Sequence, residues 1–492
     1  MLGSEQLYTA AQTRELDRIA IEEHGILGIT LMARAADAAF RHLLAAWPEP
    51  AAVTVLCGTG NNGGDGFLIA DLAHKRRIPA KVLQVGDPAK ISGDAALARG
   101  QAVANGVAIE PFDAQSFEES TVVVDALLGT GLGGEVRDDY RAAIAAINTS
   151  GAAVLAVDIP SGLCADTGRI LGRAVRADLT VTFIGLKRGL FALDAPDCTG
   201  GIEFADLGVP QSVYDAVPAH CARLELEALL GRLPERPATA HKGHYGTVLV
   251  VGGDHGMAGA AVMAAEAALR CGAGLVRVAT RPEHVAAMVA RVPEVMPLGV
   301  SDGADFEPLL EAADILVVGP GLGQTPWSQH LLQRAIAAGK PAVLDADALN
   351  LVASGAVTLP TGGKFILPPH PGEAARLLGS DSRSVQADRF AAARALAERY
   401  GGVSILKGNG SLVVQGEELL LSDYGNPGMA SGGMGDVLSG VLGALLAQGM
   451  PPLEAAALGT CLHGAAADIA AQDGQRGLAA TDLIPEMRAL LG

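Results

Sequence analysis

The sequence predicts an α/β protein of two domains, each built on a doubly wound parallel sheet with helices on both faces. Its 492 residues exceed the usual size of a single domain. Short, β-branched apolar runs alternate with helical segments through both halves, which is typical of parallel strands buried on both faces. These runs end in loops rich in glycine, proline or polar residues, and the chain contains 63 glycines in all.

Helical spacing of apolar residues predicts two helices at the start of the first half, over residues 10–23 and 31–44. Short apolar runs predict strands over residues 53–56, 81–85, 121–124, 154–157 and 179–183. The first strand opens into residues 57–66 (CGTGNNGGDG), which we interpret as a glycine-rich loop before a helix over residues 67–75. That layout is typical of a nucleotide-binding turn. Because the loop lacks the dinucleotide spacing, it indicates only an anion or ligand loop.

The second half repeats the α/β pattern. Apolar runs predict strands over residues 247–251, 314–318, 342–344, 364–367 and 403–406, with an alanine-rich helix over residues 261–271. Residues 233–237 (LPERP) indicate a linker or a domain lead-in. We therefore place the two domains at residues 1–217 and 223–492.

Composition narrows the classes of partner and location. The net charge of −18 argues against nucleic acid and anionic membranes as partners. The six cysteines lack metal-ligand spacing, so we expect reduced thiols in a cytoplasmic protein. Neither an export signal nor an uncharged apolar stretch of membrane-spanning length is visible in the sequence.

Residues 425–440 (GNPGMASGGMGDVLSG) combine a dense run of glycines, one acid and the start of an apolar helix. Glycines let backbone N–H groups approach a ligand, and a helix N-terminus favours an anion. Asp436 would lie at that helix start, placed to take a proton from a substrate hydroxyl. The alternative is an ordinary helix N-cap. A cap explains the acid but not the glycines, so we favour a phosphoryl-transfer site.

Polar residues also follow the strands of the first half. Asn62, Asp65, Asp125, Asp158 and Ser161 would converge at the carboxyl edge of one sheet. Oxygen ligands without histidine or cysteine favour a hard cation, and a monovalent ion fits a loosely held site. The alternative is that each aspartate merely caps the next helix.

Two features of the second half point to ligand contacts. Lys407, Gly408, Asn409 and Gly410 could hold nucleotide phosphates, although a hairpin turn would also tolerate Asn-Gly. His370 stands between prolines at a strand end, which makes it a candidate ligand contact, although a lone histidine is more often structural. Walker and protein-kinase motifs are absent from the sequence, so any kinase chemistry would belong to another fold.

The first half resembles the NAD(P)HX epimerase family, which acts on hydrated nicotinamide cofactors. The resemblance covers residues 8–207 and is carried by residues 60–66 (GNNGGDG), 124–131 (VDALLGTG) and 158–162 (DIPSG). It implies a Rossmann-like three-layer αβα domain and a potassium ion bound by Asn62, Asp125 and Ser161. It also implies that the damaged cofactor contacts Asn61, Asn62, Gly63, Gly64, Asp65, Gly129, Thr130, Gly131, Leu132, Gly133, Gly134, Glu135 and Asp158. The sequence departs from the family at residues 31–36 (LMARAA), where the family usually has an acidic residue and this chain has none. We expect this difference to affect helix packing or subunit pairing more than the chemistry.

The second half resembles the ribokinase-like superfamily and, more closely, the ADP- or ATP-dependent NAD(P)HX dehydratases. The resemblance covers residues 242–491, through residues 319–323 (GPGLG), 345–350 (DADALN), 369–373 (PHPGE) and 426–440. Pro368 stands where that family commonly has threonine. The resemblance implies contacts to the hydrate from Gly259, Ala260, Gly321, His370 and Asp436. It further implies ADP or ATP with Mg²⁺, the nucleotide being bound by Lys407, Gly408, Asn409, Gly410, Ser411 and Gly435.

Both halves on one chain resemble the bifunctional bacterial repair enzymes. The resemblance implies that the first domain interconverts the R and S epimers of NAD(P)HX and the second dehydrates the S epimer at the expense of ADP or ATP. Asp436 would be the base of the second reaction and Asp158 the acid/base of the first. We also expect a homo-oligomer. The alternatives are a hydroxymethylpyrimidine- or pyridoxal-type kinase fused to a ligand-binding domain, and a non-catalytic nucleotide sensor.

Overall fold

A computed structural model describes residues 5–114, 117, 120–360 and 362–492. The described chain forms two compact units, one of residues Gln6–His220 and one of Glu5 with Cys221–Gly492. Each unit is a mostly parallel sheet with helices around it, so the predicted α/β fold in two domains is confirmed. Among the described residues, no helix is both long enough and apolar enough to cross a membrane.

The described residues of the first part of the chain form nine strands and seven α-helices. The strands are β1 (Glu5–Tyr8), β2 (Val53–Cys57), β3 (Ala80–Gln84), β4 (Ala108–Pro111), β5 (Val122–Ala126), β6 (Ala153–Val157), β7 (Leu179–Phe183), β8 (Leu186–Lys187) and β9 (Gly201–Ala205). The helices are α1 (Ala10–Glu22), α2 (Gly28–Ala46), α3 (Asn61–Lys75), α4 (Gly93–Ala104), α5 (Asp138–Thr149), α6 (Pro196–Thr199) and α7 (Gln211–Ala216).

Seven of these strands form a parallel sheet in the order β4-β3-β2-β5-β6-β7-β9. Alternate residues of β2 face opposite layers. Val55 packs in one apolar cluster with Phe40 and Phe67, whereas Leu56 packs in another with Ile144 of α5. The strand order reverses between β2 and β5, which is where such sheets leave a crevice for a ligand.

The glycine-rich stretch after β2 differs from its prediction. Helix α3 begins at Asn61, so most of the expected loop is the first turns of the helix. The glycines serve close packing there. A Cβ atom at Gly63 would lie 2.2 Å from the carbonyl oxygen of Gly58, and one at Gly66 would lie 2.5 Å from the Cβ of Ala126. The glycines therefore let the helix approach the sheet, despite their low intrinsic helix propensity.

In the second part of the chain, the residues that the structure describes form ten strands and twelve α-helices. The strands are β10 (Cys221–Arg223), β11 (Thr247–Val251), β12 (Leu275–Thr280), β13 (Met296–Gly299), β14 (Ile315–Val318), β15 (Ala342–Leu344), β16 (Phe365–Leu367), β17 (Val403–Leu406), β18 (Ser411–Gln415) and β19 (Glu418–Ser422). The helices are α8 (Leu226–Leu230), α9 (Ala258–Arg270), α10 (Val285–Arg291), α11 (Gly303–Ala312), α12 (Pro326–Ala337), α13 (Ala346–Ala353), α14 (Pro371–Leu378), α15 (Ser382–Ala387), α16 (Arg389–Tyr400), α17 (Met434–Ala447), α18 (Pro452–Ala470) and α19 (Leu483–Leu491).

These strands run in the order β13-β12-β11-β14-β15-β16-β17-β18-β19-β10, with β18 antiparallel to both neighbours. Helix α17 lies tightly between the sheet and helix α9. A Cβ atom at Gly440 would lie 2.1 Å from the carbonyl oxygen of Ala264, and one at Gly443 would lie 2.5 Å from Cγ2 of Val317. The position of α17, which carries Asp436, is therefore fixed along its length by close contacts.

Candidate active sites

A cavity of about 650 Å³ opens at the carboxyl edge of the first sheet. Most of the predicted epimerase residues border it: Asn61, Asn62, Asp65, Asp158 and residues 129–135. Gly63 and Gly64 do not border it. They are buried in α3, where a Cβ atom at Gly64 would lie 2.7 Å from the sulfur of Met32.

Asp158 follows strand β6 and faces a lysine that sequence reasoning missed. The ammonium group of Lys187 donates to Oδ1 of Asp158, and also to Thr182 Oγ1 and the Phe183 carbonyl oxygen, both at 2.9 Å. The Lys187 side chain is 1% exposed. A buried ammonium needs a carboxylate and satisfied donors, and this one has both. The contact with Lys187 therefore fixes the direction of the Asp158 carboxyl group at the cavity wall.

The cavity wall is also a place of unusual backbone geometry. Asp158 has a φ of +68°, Ile184 a φ of +56° and Leu207 a φ of +58°, and all three residues line the cavity. Left-handed backbone is uncommon outside glycine and is an outlier for a β-branched residue. The strained positions place these side chains at the cavity.

Two further carboxyl groups border this cavity. Asp17 projects from α1, and burial raises its pKa to about 6. Burial also raises the pKa of Asp65 well above its ordinary value, and the nearby Asp158 carboxylate adds to the rise. Sequence reasoning missed Asp17 because α1 was interpreted only as a helix.

Asp125, Ser161 and Asn62, the residues expected to bind a cation, are all buried. Asp125 is fully buried and accepts hydrogen bonds from the Ser161 amide at 2.8 Å, the Ser161 hydroxyl at 2.6 Å and the Leu127 amide at 3.2 Å. Burial raises its pKa to about 6, with these hydrogen bonds opposing the rise. Both polar side-chain atoms of Asn62 are buried without a hydrogen-bond partner among the described residues. An unsatisfied amide oxygen and a buried carboxylate fit a cation bound by oxygen ligands.

Asp125, Asp158 and Asp436 are not helix N-caps. The N-cap residues of the α-helices in question, α5, α6 and α17, are Arg137, Ala195 and Gly433. The capping alternative weighed for Asp125, Asp158 and Asp436 is therefore wrong.

Asp436 lies in the first turn of α17, where the sequence placed it. The preceding Gly433 has a φ of +95°, a conformation that favours glycine. Burial raises the pKa of Asp436 to about 6. The neighbouring Asp345 carboxylate adds to the rise and the Lys407 ammonium opposes it. Asp436 is thus a carboxyl group whose pKa lies near neutrality, at a helix N-terminus.

Lys407 does not extend along its own loop but points at the start of α17. Its ammonium lies 2.9 Å from Oδ1 of Asp345 and 3.9 Å from Oε2 of Glu373. The Ser439 hydroxyl donates to Oδ2 of Asp345 at 2.8 Å. Burial raises the pKa of Glu373 to about 7. This cluster lies beside Gly435, because a Cβ atom there would be 3.3 Å from the Lys407 nitrogen. Asp345 and Glu373 belong to motifs that the sequence shows, but the sequence alone predicts no role for either residue.

His370 caps helix α14. Its Nδ1 accepts from the Gly372 amide at 3.0 Å, and its Nε2 lies 3.4 Å from Oε1 of Glu373. The ring is half exposed, so a structural role at one nitrogen leaves one face of the ring open to a ligand.

The other residues assigned to the hydrate lie where α9 begins. Gly321 has a φ of +58°, and its carbonyl oxygen accepts from the Asp254 amide at 2.6 Å. A Cβ atom at Gly321 would lie 3.1 Å from the Cβ of Ala260, and Gly259 is exposed beside it. A second cavity, of about 710 Å³, is bordered by Met263 of α9 and by Ser431 and Gly432 of the loop before α17.

A buried arginine supports the loop of residues 407–411. The guanidinium of Arg389 donates to the carbonyl oxygens of Leu406, Lys407 and Gly410 at 3.2 to 3.3 Å, and to Oε1 of Gln386 at 3.1 Å. It is 1% exposed, and burial lowers its pKa to about 10. Gly408 has a φ of +144° and approaches this guanidinium so closely that a Cβ atom would lie 2.7 Å from it. The Arg389 side chain therefore stabilises the conformation of this loop.

Replacing this arginine tests that role. We expect Arg389→Met to lower the free energy of unfolding of the second unit by about 1 to 3 kcal/mol, because buried carbonyl oxygens lose their donors. Thermal and urea unfolding would measure the loss. Arg383→Met, at an exposed position on α15, is the matched control. An Arg389→Met chain as stable as the wild type would contradict the role.

Comparisons with known proteins agree on both halves. A family model described as YjeF-related protein N-terminus matches residues 28–189, and one described as NAD(P)H-hydrate dehydratase matches residues 248–488. The bifunctional NAD(P)H-hydrate repair enzyme of Coxiella burnetii is 48% identical over 99% of both chains. That of Escherichia coli is 43% identical over 99% of this chain and 94% of its own. A ribokinase-like superfamily protein from Enterococcus faecalis aligns with a TM-score of 0.52 at 28% identity, covering 55% of this chain and 95% of its own.

Proposed function

The chain belongs to the bifunctional NAD(P)H-hydrate repair enzymes, and from that premise we propose which part performs each reaction and with which residues. A hydrate of this kind is a reduced nicotinamide cofactor that has taken up water and carries a hydroxyl at C6. The enzyme interconverts the R and S hydrates and dehydrates the S form to NAD(P)H. We assign epimerisation to residues 1–217 and dehydration to residues 223–492. The small-molecule kinase alternative is not favoured, because relatives that span the whole chain are named repair enzymes.

The position of Asp436 supports the dehydration mechanism. Hydroxide is a poor leaving group, so the C6 hydroxyl is first phosphorylated by a nucleotide. The C6–O bond then breaks and phosphate leaves as the lone pair of N1 forms a bond to C6. Loss of a proton from C5 to water supplies the electron pair of the new C5=C6 bond and returns the lone pair to N1. Asp436 takes the hydroxyl proton as the oxygen attacks the terminal phosphorus. Backbone N–H groups of residues 432–435, at the start of α17, stabilise charge on the transferred phosphoryl group. Lys407 lies beside Gly435 and adds positive charge at the same point.

ADP or ATP with Mg²⁺ is the proposed phosphoryl donor. The loop of Lys407, Gly408, Asn409, Gly410 and Ser411, with Gly435, would hold the nucleotide. The site contains more carboxyl groups than ammonium groups: Lys407 is accompanied by Asp345, Asp347, Glu373 and Asp436. This excess of negative charge fits a divalent cation bound with nucleotide phosphates. Bound Mg²⁺ would neutralise charge on those phosphates. Gly259, Ala260, Gly321 and His370 are the proposed contacts to the hydrate.

The epimerase site fits a different chemistry. At C6 the hydroxyl and the ring nitrogen share one carbon, so the ring can open to an aldehyde and close again on its other face. Asp158, which accepts a hydrogen bond from Lys187, is the proposed base for the hydroxyl proton. Residues 129–135 with Asn61, Asn62 and Asp65 would hold the hydrate in the cavity.

Recovery of reduced-nicotinamide absorbance tests the proposal directly. The substrate is a mixture of both hydrate epimers, with ADP or ATP and Mg²⁺. Recovery of the S share requires only the dehydratase, and complete recovery requires both reactions. No recovery with either nucleotide, or a stable phosphorylated product, would overturn the proposal.

The acidity of Asp436 gives the dehydration step a pH dependence. The base works only when deprotonated, and its pKa is raised from 3.8 to about 6. We expect the rate from the S hydrate to rise with pH through about 6 and to level off above it. Initial rates of dehydration at saturating nucleotide, measured across that pH range, would show this rise. A rate that stays flat down to about pH 4, the ordinary carboxyl range, would contradict it.

Potassium is the proposed cation of the first domain, bound by Asn62, Asp125 and Ser161. The orphaned Asn62 amide and the buried Asp125 carboxylate support a cation with oxygen ligands. Bound potassium would supply a fixed positive charge at the cavity wall. We expect epimerisation to slow when potassium is exchanged for choline at constant ionic strength, and to return when potassium is restored. Equal epimerisation rates in the two buffers would remove the cation from the site.

We propose small molecules as the ligands of this chain, without nucleic acid or membrane, in a cytoplasmic homo-oligomer. The net charge of −18 supports the first part, because phosphate polymers would be repelled. All six cysteines are free thiols, which supports a reducing compartment.

A further inference from the structure

Helix α1 contributes a carboxyl group to the epimerase cavity that no motif assigns. Asp17 borders the cavity together with Asp65, Asp158 and Lys187. Its carboxylate has no hydrogen-bond partner among the residues that the structure describes, unlike Asp158, which is bound to Lys187 and Thr182. A partly buried carboxyl group without a partner, facing a cavity, is available to a ligand.

Ring opening needs two proton transfers. As the base takes the proton from the C6 hydroxyl, the O–H electron pair forms the aldehyde C=O bond. The C6–N1 bond breaks, and its electron pair goes to N1, which must gain a proton. Rotation about the C5–C6 bond presents the other aldehyde face, and closure reverses every step. Protons and electrons balance with one base and one acid, and no other reagent is needed.

We infer that Asp17 is the acid that protonates N1 on ring opening and takes the proton back on closure, opposite the Asp158 base. This inference rests on the proposed epimerase function. Three carboxyl groups, those of Asp17, Asp65 and Asp158, share the cavity with one ammonium group, that of Lys187. Lys187 donates a hydrogen bond directly to Asp158 and so fixes the direction of that carboxyl group, while Asp17 has no such bond.

The charged groups around Asp17 shift its pKa in both directions, since the Lys187 ammonium lowers it and the Asp158 carboxylate raises it. Lys187, Asp158, Asp65 and Tyr214 interact with it electrostatically from four other elements. Burial raises its pKa to about 6, so at neutral pH it can both give and take a proton. Asp65 differs, because burial and two neighbouring carboxylates keep its pKa well above the ordinary value.

The full-length Asp17→Asn chain tests the inference, with its own dehydratase domain as reporter. On mixed epimers with nucleotide and Mg²⁺, absorbance should recover to the S share at the wild-type rate. The remaining phase, which reports conversion of the R epimer, should slow by about 10²-fold or more. The KM for the R hydrate should stay within about twofold, which a lost packing contact alone would not predict. Asp37→Asn, at an exposed position on α2, is the matched control and should behave as wild type.

Further variants separate the possible outcomes. Asp17→Ala leaves space for a small acid, so added formate should restore part of its slow phase, and Asp17→Glu should keep more activity than Asp17→Asn. An Asp17→Asn or Asp17→Ala chain that converts the R epimer at the wild-type rate overturns the inference. A wild-type chain that never converts the R epimer overturns the epimerase function itself, so the two failures are distinguishable.

Discussion

Asp436→Asn should abolish dehydration of the S hydrate while leaving interconversion of the epimers intact. The amide cannot accept the hydroxyl proton, so we expect kcat to fall by about 10²- to 10⁴-fold, the range for loss of a general base. That corresponds to about 3 to 5 kcal/mol of barrier. Binding should change little, because the amide keeps the shape of the carboxylate. Absorbance recovery from pure S hydrate measures the loss, and epimer ratios followed by chromatography measure the retained activity.

Asp473→Asn, at an exposed position, is the control for the loss of one carboxylate from the same domain. If Asp436→Asn keeps more than about a tenth of the wild-type kcat, the base lies elsewhere. Glu373 would then be the next residue to replace, because its pKa of about 7 also lies near neutrality.

Asp158→Asn should have the converse effect and stop epimerisation. We again expect a loss of about 10²- to 10⁴-fold in rate, because the amide cannot take the C6 hydroxyl proton. The Lys187 ammonium would also remain buried without its carboxylate, which typically costs about 3 to 5 kcal/mol of stability. The unfolding midpoint of the first unit should therefore fall together with the rate.

A double-mutant cycle separates these two effects. Asp158→Asn combined with Lys187→Met removes both charges, so stability should return towards that of the wild type while epimerisation stays lost. Epimerisation that returns with the stability would show that Asp158 only supports the fold.

The local signals in the sequence predicted the framework and part of each site. Strands such as residues 154–157 and 403–406 are short apolar runs, and a buried parallel strand needs little else to be recognised. Asp436 was placed correctly because the glycines before it and the apolar run after it define a helix start within a few residues.

The start of α3 was misplaced because glycine has low helix propensity. Residues 61–66 form helix since the space beside β5 admits only a bare backbone, as the contact between Gly66 and Ala126 shows. Tertiary packing overrode the local preference, and a single sequence does not display that packing.

The missed site residues share another cause. Lys187 meets Asp158 across 29 residues, and Ser439 meets Asp345 across 94. Arg389 supports a loop about 20 residues away and has no motif of its own. The sequence contains one local sign of the role of Lys187, which is that this lysine stands in an apolar run. A charge in such a run needs a buried partner.

The left-handed backbone around the first cavity has a consequence for engineering this protein. Six non-glycine residues among those described have positive φ, and Asp158, Ile184 and Leu207 make up half of them. Each such position costs of the order of 1 to 3 kcal/mol. Glycine at Ile184 or Leu207 would relieve that strain, but it would also remove a buried side chain, because these residues are only 2% and 8% exposed. Truncating a buried aliphatic side chain typically costs about 2 to 5 kcal/mol, which exceeds the strain that would be relieved. Packing therefore locks the strained backbone in place, and a search for heat-resistant variants should leave these two positions unchanged.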